Sequence, residues 1–271
     1  MNLPELAEAA RIPESMLLDT IDELQRSQEQ LRQQAARLLV QNKELDAYAS
    51  MVAHDLKDPL AILVMTSDLI NDVPDLTPQE LKESLQQIRS TAYELNGIID
   101  SLLLFAEVDK VQAPLEPLDM LEVLSKVQNR LSSMIMECKA RIKIPKILPN
   151  AIGYAPWIEE VWANYISNAV KHGGQPPEVE LGASALPDGM LRFWTRDNGP
   201  GLPPDAQAQL FTPFSQLCRL RDTGHGLGLS ITLQIVEKLG GQVGVESEVG
   251  QGSLFYFTLP AGPAPETIRP G

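Results

Sequence analysis

Asn164-Tyr165-Ile166-Ser167-Asn168-Ala169-Val170-Lys171-His172 reads as the second half of a helix that opens at Pro156 and stops at Gly173-Gly174. Steps of four and three put Asn164, Asn168 and Lys171 on one face, with His172 one residue on. Amide oxygens ligate hard cations such as Mg²⁺, which keeps several waters and binds substrate phosphates. A lysine on the same side can meet a phosphate. A solvated helix face fits the same pattern. Further on, Asp197-Asn198-Gly199-Pro200-Gly201 follows a strand directly. A buried Asp carboxylate there can accept a hydrogen bond from an exocyclic amine. Adenine offers one and guanine offers a carbonyl instead, so the site would select ATP over GTP. The two glycines permit tight backbone geometry and close approach of a flat ligand. An ordinary Asx-Gly turn has the same spelling. The third cluster, Gly224-His225-Gly226-Leu227-Gly228-Leu229, leads into a helix, where N–H groups can cradle phosphate. It is neither a Walker A loop nor a Rossmann fingerprint, and a plain glycine-rich loop is the alternative.

With Phe211-Thr212-Pro213-Phe214 between the second and third clusters, the set resembles the N, G1, F and G2 boxes of the GHKL ATP-binding domain. The match is in order and covers most of residues 117–260. It implies a two-layer α/β sandwich of the GHKL (Bergerat) type, with ATP and Mg²⁺ as cofactors. The residues it assigns to ATP are Asn164, Asn168, Lys171, His172, Asp197, Gly199, Gly201, Gly224, Gly226, Leu227 and Gly228, with the metal held through Asn168. Ser215–Thr223 would be a short lid, with Arg219 and Arg221 as phosphate contacts. GHKL hydrolases carry a water-activating Glu where this chain has Asn164. Glu159 and Glu160 lie one turn upstream and out of place, which favours phosphotransfer over hydrolysis.

Outward to the N-terminus, Leu17, Leu24, Leu31, Leu38 and Leu45 recur every seven residues, and Val52 takes the next place. Ile21, Gln28, Ala35, Asn42, Ala49 and Leu56 follow each by four, and no Pro or Gly interrupts Ser15 to Lys57. The spacing predicts a parallel dimeric coiled coil with leucines at d and Asn42 as the polar a position that fixes register. One amphipathic helix on a globular core is the alternative. Pro59 reads as a kink, because apolar residues continue beyond it. After a loop at Asn71–Thr77, Thr77-Pro78-Gln79-Glu80 forms a capping box. It opens a second helix with an apolar stripe at 81, 85, 88, 92, 95, 99, 102 and 106. Two such hairpins, dimerised, make a four-helix bundle. His54 falls at f, the outermost heptad position. His54-Asp55-Leu56-Lys57-Asp58-Pro59-Leu60 resembles the H box of bacterial sensor histidine kinases. That resemblance implies transfer of the ATP γ-phosphoryl group to His54, with Asp55 accepting a ring proton and orienting the imidazole. The phosphoryl group then passes to an aspartate of a response-regulator receiver domain. Asp58 stands where phosphatase-active relatives often have Thr or Asn, which predicts weak phosphatase activity. A GHKL-type ATPase and a non-catalytic dimeric adaptor are the alternatives.

The remaining pattern is mixed α/β. Ala113–Pro117 reads as a linker and Asp119 with Glu122 caps a helix to about Glu137. Strands are expected at Ala140–Ile144, Glu178–Ala185, Met190–Asp197, Gln242–Glu248 and Ser253–Leu259, with a helix over Leu227–Leu239. Helices on one face of a mostly antiparallel sheet is the simplest arrangement. The expected organisation is a leader (1–16), a coiled-coil signalling helix (17–50), a dimerisation and phosphotransfer domain (51–112), an ATP-binding domain (113–262) and a tail (263–271).

The chain has 271 residues and a formal net charge of −14. Residues 1–113 hold 9 basic and 20 acidic residues, so most of the acidity is in the helical part. Such a charge argues against binding nucleic acid or anionic lipid by bulk electrostatics. The longest apolar run, Leu60–Met65, is far short of the ~20 residues a membrane helix needs, so no membrane insertion is expected. Two cysteines and no visible signal peptide point to a cytoplasmic setting. Sixteen residues before the leucine repeat are too few for a folded sensor, so the sensor is expected to be missing from this chain or to sit on a separate partner.

Overall fold

In a computed structural model, residues 14–73, 76–108, 110–208, 210–211 and 227–263 are described. The chain divides into two units, residues 1–54 and 55–271. Helix α1 (Glu14–Asp72) begins in the first and ends in the second. In the first unit Leu24, Leu31 and Leu38 are 62–64% exposed, so these three heptad leucines lie uncovered on the helix. Side chains of Leu17 and Leu45 lie outside the described residues.

In the second unit α1 continues through Pro59, and α2 (Pro78–Val108) follows. The capping box forms as expected. The Thr77 N–H and hydroxyl both donate to the Glu80 carboxylate, at 2.8 and 2.7 Å, and the Glu80 N–H donates back to Thr77 Oγ1. The buried line of α2 differs from the expected apolar stripe. Ser84, Thr91 and Ile98, seven residues apart, are buried. Leu81, Leu85 and Ile99 of the stripe stay exposed. Small side chains at 84 and 91 suit a tightly packed face, which turns half of the apolar stripe outward.

Beyond α2 the elements are β1 (Glu116–Leu118), α3 (Met120–Arg130), α4 (Ser132–Glu137), β2 (Arg141–Lys143), β3 (Ala151–Gly153), α5 (Ala155–His172), β4 (Glu178–Ala185), β5 (Met190–Asp197), α6 (Pro204–Gln207), α7 (Leu227–Lys238), β6 (Val243–Ser247) and β7 (Ser253–Pro260). The main sheet has the order β2-β4-β5-β7-β6, and only the β2–β4 pair is parallel. Two expectations need correction. Glu116 and Pro117, read as linker, belong to β1, which pairs antiparallel with β3. Pro117 gives no donor to a ladder, so it hid a three-residue edge strand. The single helix expected over 119–137 breaks at Leu131, although Asp119 does cap its start by accepting from the N–H groups of Leu121 and Glu122.

Helices α5 and α7 pack on the sheet, α3 packs against α5, and α2 packs against α7. The core between the layers is aromatic. The Trp162 ring lies 5.1 Å from Phe257 and 6.2 Å from Phe193, and Phe193 stacks on Phe257 at 5.4 Å. Tyr165 is buried beside them and donates to the Tyr256 carbonyl, and burial pushes its phenol well above its usual pKa. On β5 the alternation buries Leu191, Phe193, Thr195 and Asp197 in one row. The chain therefore delivers a carboxylate at the end of a hydrophobic row.

Thr77→Ala should cost about 1 kcal/mol by removing the helix cap. That is a fall of roughly 2–4 °C in melting temperature for a domain this size. Hydrogen bonds from the Thr77 hydroxyl and N–H hold the Glu80 carboxyl below its usual range. Their stabilisation is present above the ordinary carboxylate pKa and is lost as pH falls through the lowered one. The gap between wild type and variant should therefore narrow in acid melts.

Candidate functional site

Helix α5 brings Asn164, Asn168, Lys171 and His172 to the edge of the core. Pro156 sits in its first turn, and Lys171 and His172 lie in its last turn, where the helix dipole favours cations. Asn168 Nδ2 donates to Asn164 Oδ1 at 3.1 Å, and Asn164 Nδ2 donates to Thr232 Oγ1 on α7 at 2.9 Å. The first cluster is thereby joined, side chain to side chain, to the helix that the third cluster opens. Gly228 makes the approach possible, since a Cβ there would lie 2.2 Å from Asn164 Oδ1.

Asp197 ends β5 and is only 8% exposed. Its Oδ1 accepts from the N–H groups of Gly199, at 2.8 Å, and Ser253, at 3.2 Å. Such bonds offset the cost of burying a carboxylate. The glycines that follow act in different ways. Gly199 is needed for space, because a Cβ would lie 2.4 Å from the His172 carbonyl oxygen and 2.8 Å from Asp197 Oδ1. Gly201 is needed for conformation as well, with φ +70° and a Cβ position 2.0 Å from the Glu248 carbonyl oxygen. The turn after β5 thus rests on the end of α5 and on the turn between β6 and β7. Gly250 N donates to the Pro200 carbonyl at 2.8 Å. Ser247 Oγ accepts from Leu202 N and donates to the Gly252 carbonyl, both at 2.8 Å.

Several contributors carried no sequence signal of their own. Asn198 Oδ1 accepts from the N–H groups of Gly174 and Glu178, and its Nδ2 donates to the Pro176 carbonyl. It ties the turn after α5 to the turn after β5. In the sequence it looked like a residue of an Asx-Gly turn, and only the fold shows what it holds. Thr232 and Ser253 act across 68 and 56 residues of chain. Glu159 pairs with Lys126, and Glu160 with Arg130, so both glutamates face α3. This fits their exclusion as water-activating bases.

The Thr195 hydroxyl, one pleat before Asp197, is buried and finds no hydrogen-bond partner among the described residues. No group of three or more His, Cys, Asp or Glu side chains gathers as a metal site among the described residues. A divalent ion here would depend on amide oxygen, water and ligand phosphate. The lid, including Arg219, Arg221, Gly224 and Gly226, lies outside the described residues, as do Thr212, Pro213 and Phe214. Leu227 opens α7, but its side chain lies outside them too. Phe211 packs edge-on to Phe255 at 6.5 Å. Far along the chain, His54 is exposed on α1, and Asp55 and Asp58 follow on the same helix.

Comparison with known proteins bears on the two parts of the chain as domains. Residues 44–110 match the His Kinase A (phospho-acceptor) domain. Residues 153–263 match the histidine kinase-, DNA gyrase B- and HSP90-like ATPases. Cyanobacterial phytochrome B of Nostoc sp. is 33% identical over 222 residues, which is 80% of this chain and 30% of the relative. The adaptive-response sensory kinase SasA of Thermosynechococcus vestitus is 30% identical over 242 residues, 85% of this chain and 64% of the relative. The chain thus spans about a third of the length of the phytochromes it matches and just under two thirds of that SasA. Among solved structures, full-length ShkA in complex with AMPPNP aligns with TM-score 0.57 and 29% identity, over 80% of this chain and 46% of that one. ThkA in complex with the response regulator protein TrrA aligns with TM-score 0.63 and 20% identity, a likeness of fold, over 87% of this chain and 66% of that one.

Gly201→Ala and Gly189→Ala both place a side chain at positive φ, but only Gly201 is also crowded, with open space around Gly189. Strain alone should cost about 1 kcal/mol at Gly189. Crowding should bring Gly201→Ala to roughly 2–4 kcal/mol. Denaturant unfolding of the two variants measures the difference, and equal losses would contradict the crowding account.

Proposed function

We propose, from the premise that the chain joins a phospho-acceptor domain to a histidine-kinase-type ATPase domain and so carries both halves of a histidine kinase core, that it is the ATP-driven output part of a sensor kinase. The observation that carries the reading is the buried Asp197, held by Gly199 and Ser253, with Gly199 packed against the end of the helix that carries the linked Asn164 and Asn168. The site fits the nucleotide on its donor set. A buried carboxylate suits an exocyclic amine, glycines at 199 and 201 clear the backbone, and amide oxygens on α5 suit a hydrated Mg²⁺. No described helix is long and apolar enough to cross a membrane. A cytoplasmic placement is part of the proposal.

In this reading Asp197 accepts from the adenine amine. Asn168 would hold Mg²⁺ through its amide oxygen and Lys171 would add a cation beside the phosphates. The metal, when bound, would offset charge on the phosphates. His172 closes the end of α5 against Gly199, and Gly224, Gly226, Leu227, Gly228, Arg219 and Arg221 serve the phosphates from the lid side. A neutral His54 ring nitrogen forms a bond to the γ-phosphorus as the bond to the bridging oxygen breaks and ADP leaves. The proton on the other ring nitrogen passes to Asp55, which also orients the ring. The phosphoryl group then moves from nitrogen to an aspartate oxygen of a response-regulator receiver domain. The exposure of His54 suits both transfers.

The reading includes a homodimer. Uncovered heptad leucines on α1 and the outward half of the α2 stripe are the surfaces it would bury. The functional divisions proposed are 17–50 for the signalling coiled coil, 51–112 for phosphotransfer and 113–262 for ATP binding. The signal would come from a sensor elsewhere in a longer protein or on a partner.

Incubation with γ-labelled ATP should label the wild type with an acid-labile phosphate. His54→Gln should remain unlabelled while still binding nucleotide, and Asp197→Asn should lose both labelling and binding. Label retained in His54→Gln, or absent from the wild type, would overturn the proposal. With Asp58 in the phosphatase position, a phosphorylated cognate regulator should keep its phosphate when this protein and ADP are added. Rapid loss would contradict that part.

A further inference from the structure

We propose that Thr232 is a positioning residue that anchors Asn164 and, through it, holds the Asn168 amide oxygen in place for the nucleotide's divalent cation. The inference rests on the Mg²⁺–ATP reading above.

An asparagine amide has two ends of nearly equal shape and opposite hydrogen-bonding character. Only the oxygen end can ligate a cation. The bond taken by the nitrogen end of Asn168 therefore decides which end is left for the cation, and that bond is only as well placed as Asn164 itself. The sense is read along a chain of three side chains. Thr232 Oγ1 accepts from Asn164 Nδ2, so the nitrogen end of Asn164 points to α7 and its oxygen end is turned towards Asn168. That oxygen accepts from Asn168 Nδ2, so the nitrogen end of Asn168 is spent inward. The other end of Asn168 is its oxygen.

Two further observations make this a fixed arrangement. Thr232 is 1% exposed, so water does not compete for its hydroxyl. One turn earlier on α7, the Gly228 backbone stands so close that a Cβ would lie 2.2 Å from Asn164 Oδ1. Asn164 is thus held between the α7 backbone, Thr232 and Asn168, with no room to swing aside. Replacing the Thr232 hydroxyl by a methyl leaves a half-buried amide facing an apolar group. Asn164 then loses its anchor on α7, and Asn168 loses the support that places its ligating oxygen.

The dependence is specific. Loss of the Thr232 hydroxyl should weaken what the metal adds to nucleotide binding, and leave the adenine contacts at Asp197 in place. Asn164 stands where hydrolytic relatives of the ATPase fold carry their water-activating Glu, so in this chain that position serves orientation.

The test is calorimetric titration of the full chain with AMPPNP, in Mg²⁺ and separately in EDTA. Thr232→Val should lose about 10-fold in affinity with Mg²⁺, as is usual when a partner behind a metal ligand is removed. In EDTA it should stay within about twofold of wild type, since no metal ligand is then in play. Thr232→Ser, which keeps the hydroxyl, should restore the Mg²⁺ response. In nucleotide-free protein, the Asn164 and Asn168 side-chain amide signals in ¹⁵N–¹H spectra should move in the Val variant and not in the Ser variant. An unchanged Mg²⁺ response in Thr232→Val, or an equal loss with and without Mg²⁺, overturns the proposal. If the Val variant does not fold, Thr232→Ala is held to the same comparison. A wild type that binds AMPPNP no better with Mg²⁺ than without it overturns the Mg²⁺–ATP reading itself, a result distinct from failure of the Thr232 assignment.

Discussion

The Asp197 carboxylate sits at the end of a hydrophobic row, and it stays there because two backbone N–H groups reach the same oxygen. Burying a carboxylate without such partners would cost several kcal/mol. One donor, Gly199, belongs to the turn that follows β5, and the other, Ser253, opens β7. Both turns are thereby drawn onto one atom. The crowding at Gly199, Gly201 and Gly252 follows, because each lets backbone pass where a side chain would collide. The site's geometry is the consequence of satisfying one buried charge.

A second constraint acts on the helices. On α2 the intrachain face runs through Ser84, Thr91 and Ile98, while Leu85 and Leu103 are left outward at 53% and 58% exposure. On the part of α1 in the same unit, Leu60, Met65 and Leu69 are also exposed. Apolar burial contributes roughly 25 cal/mol per Å², so a surface of this kind gains from a partner. The proposed dimer meets that need, and it leaves His54 on the exposed side of its helix.

Legibility from sequence followed the range of the interactions. The hairpin strands over 178–185 and 190–197 were readable to the residue, because alternation and a Pro-Asp-Gly turn are local signals. The helix caps at Thr77 and Asp119 were readable for the same reason. β1 and β3 were not, because Pro117 pointed to a linker and neither short strand has the alternation that Arg141-Ile142-Lys143 gives β2. The apolar stripe of α2 was found, but which part of it faces inward depends on the small residues at 84 and 91. Asp197, Asn164 and Asn168 stood out by residue type and spacing. Asn198, Ser253 and Thr232 did not, because their partners lie 20 to 68 residues away.

In the proposed function, Asp197 makes this an adenine-nucleotide site. Competition of ATP and GTP against a fluorescent ATP analogue tests it most directly. The account predicts that ATP displaces the probe at least about 10-fold more effectively, because guanine would leave the buried carboxylate facing an acceptor. Equal displacement by the two nucleotides would contradict it.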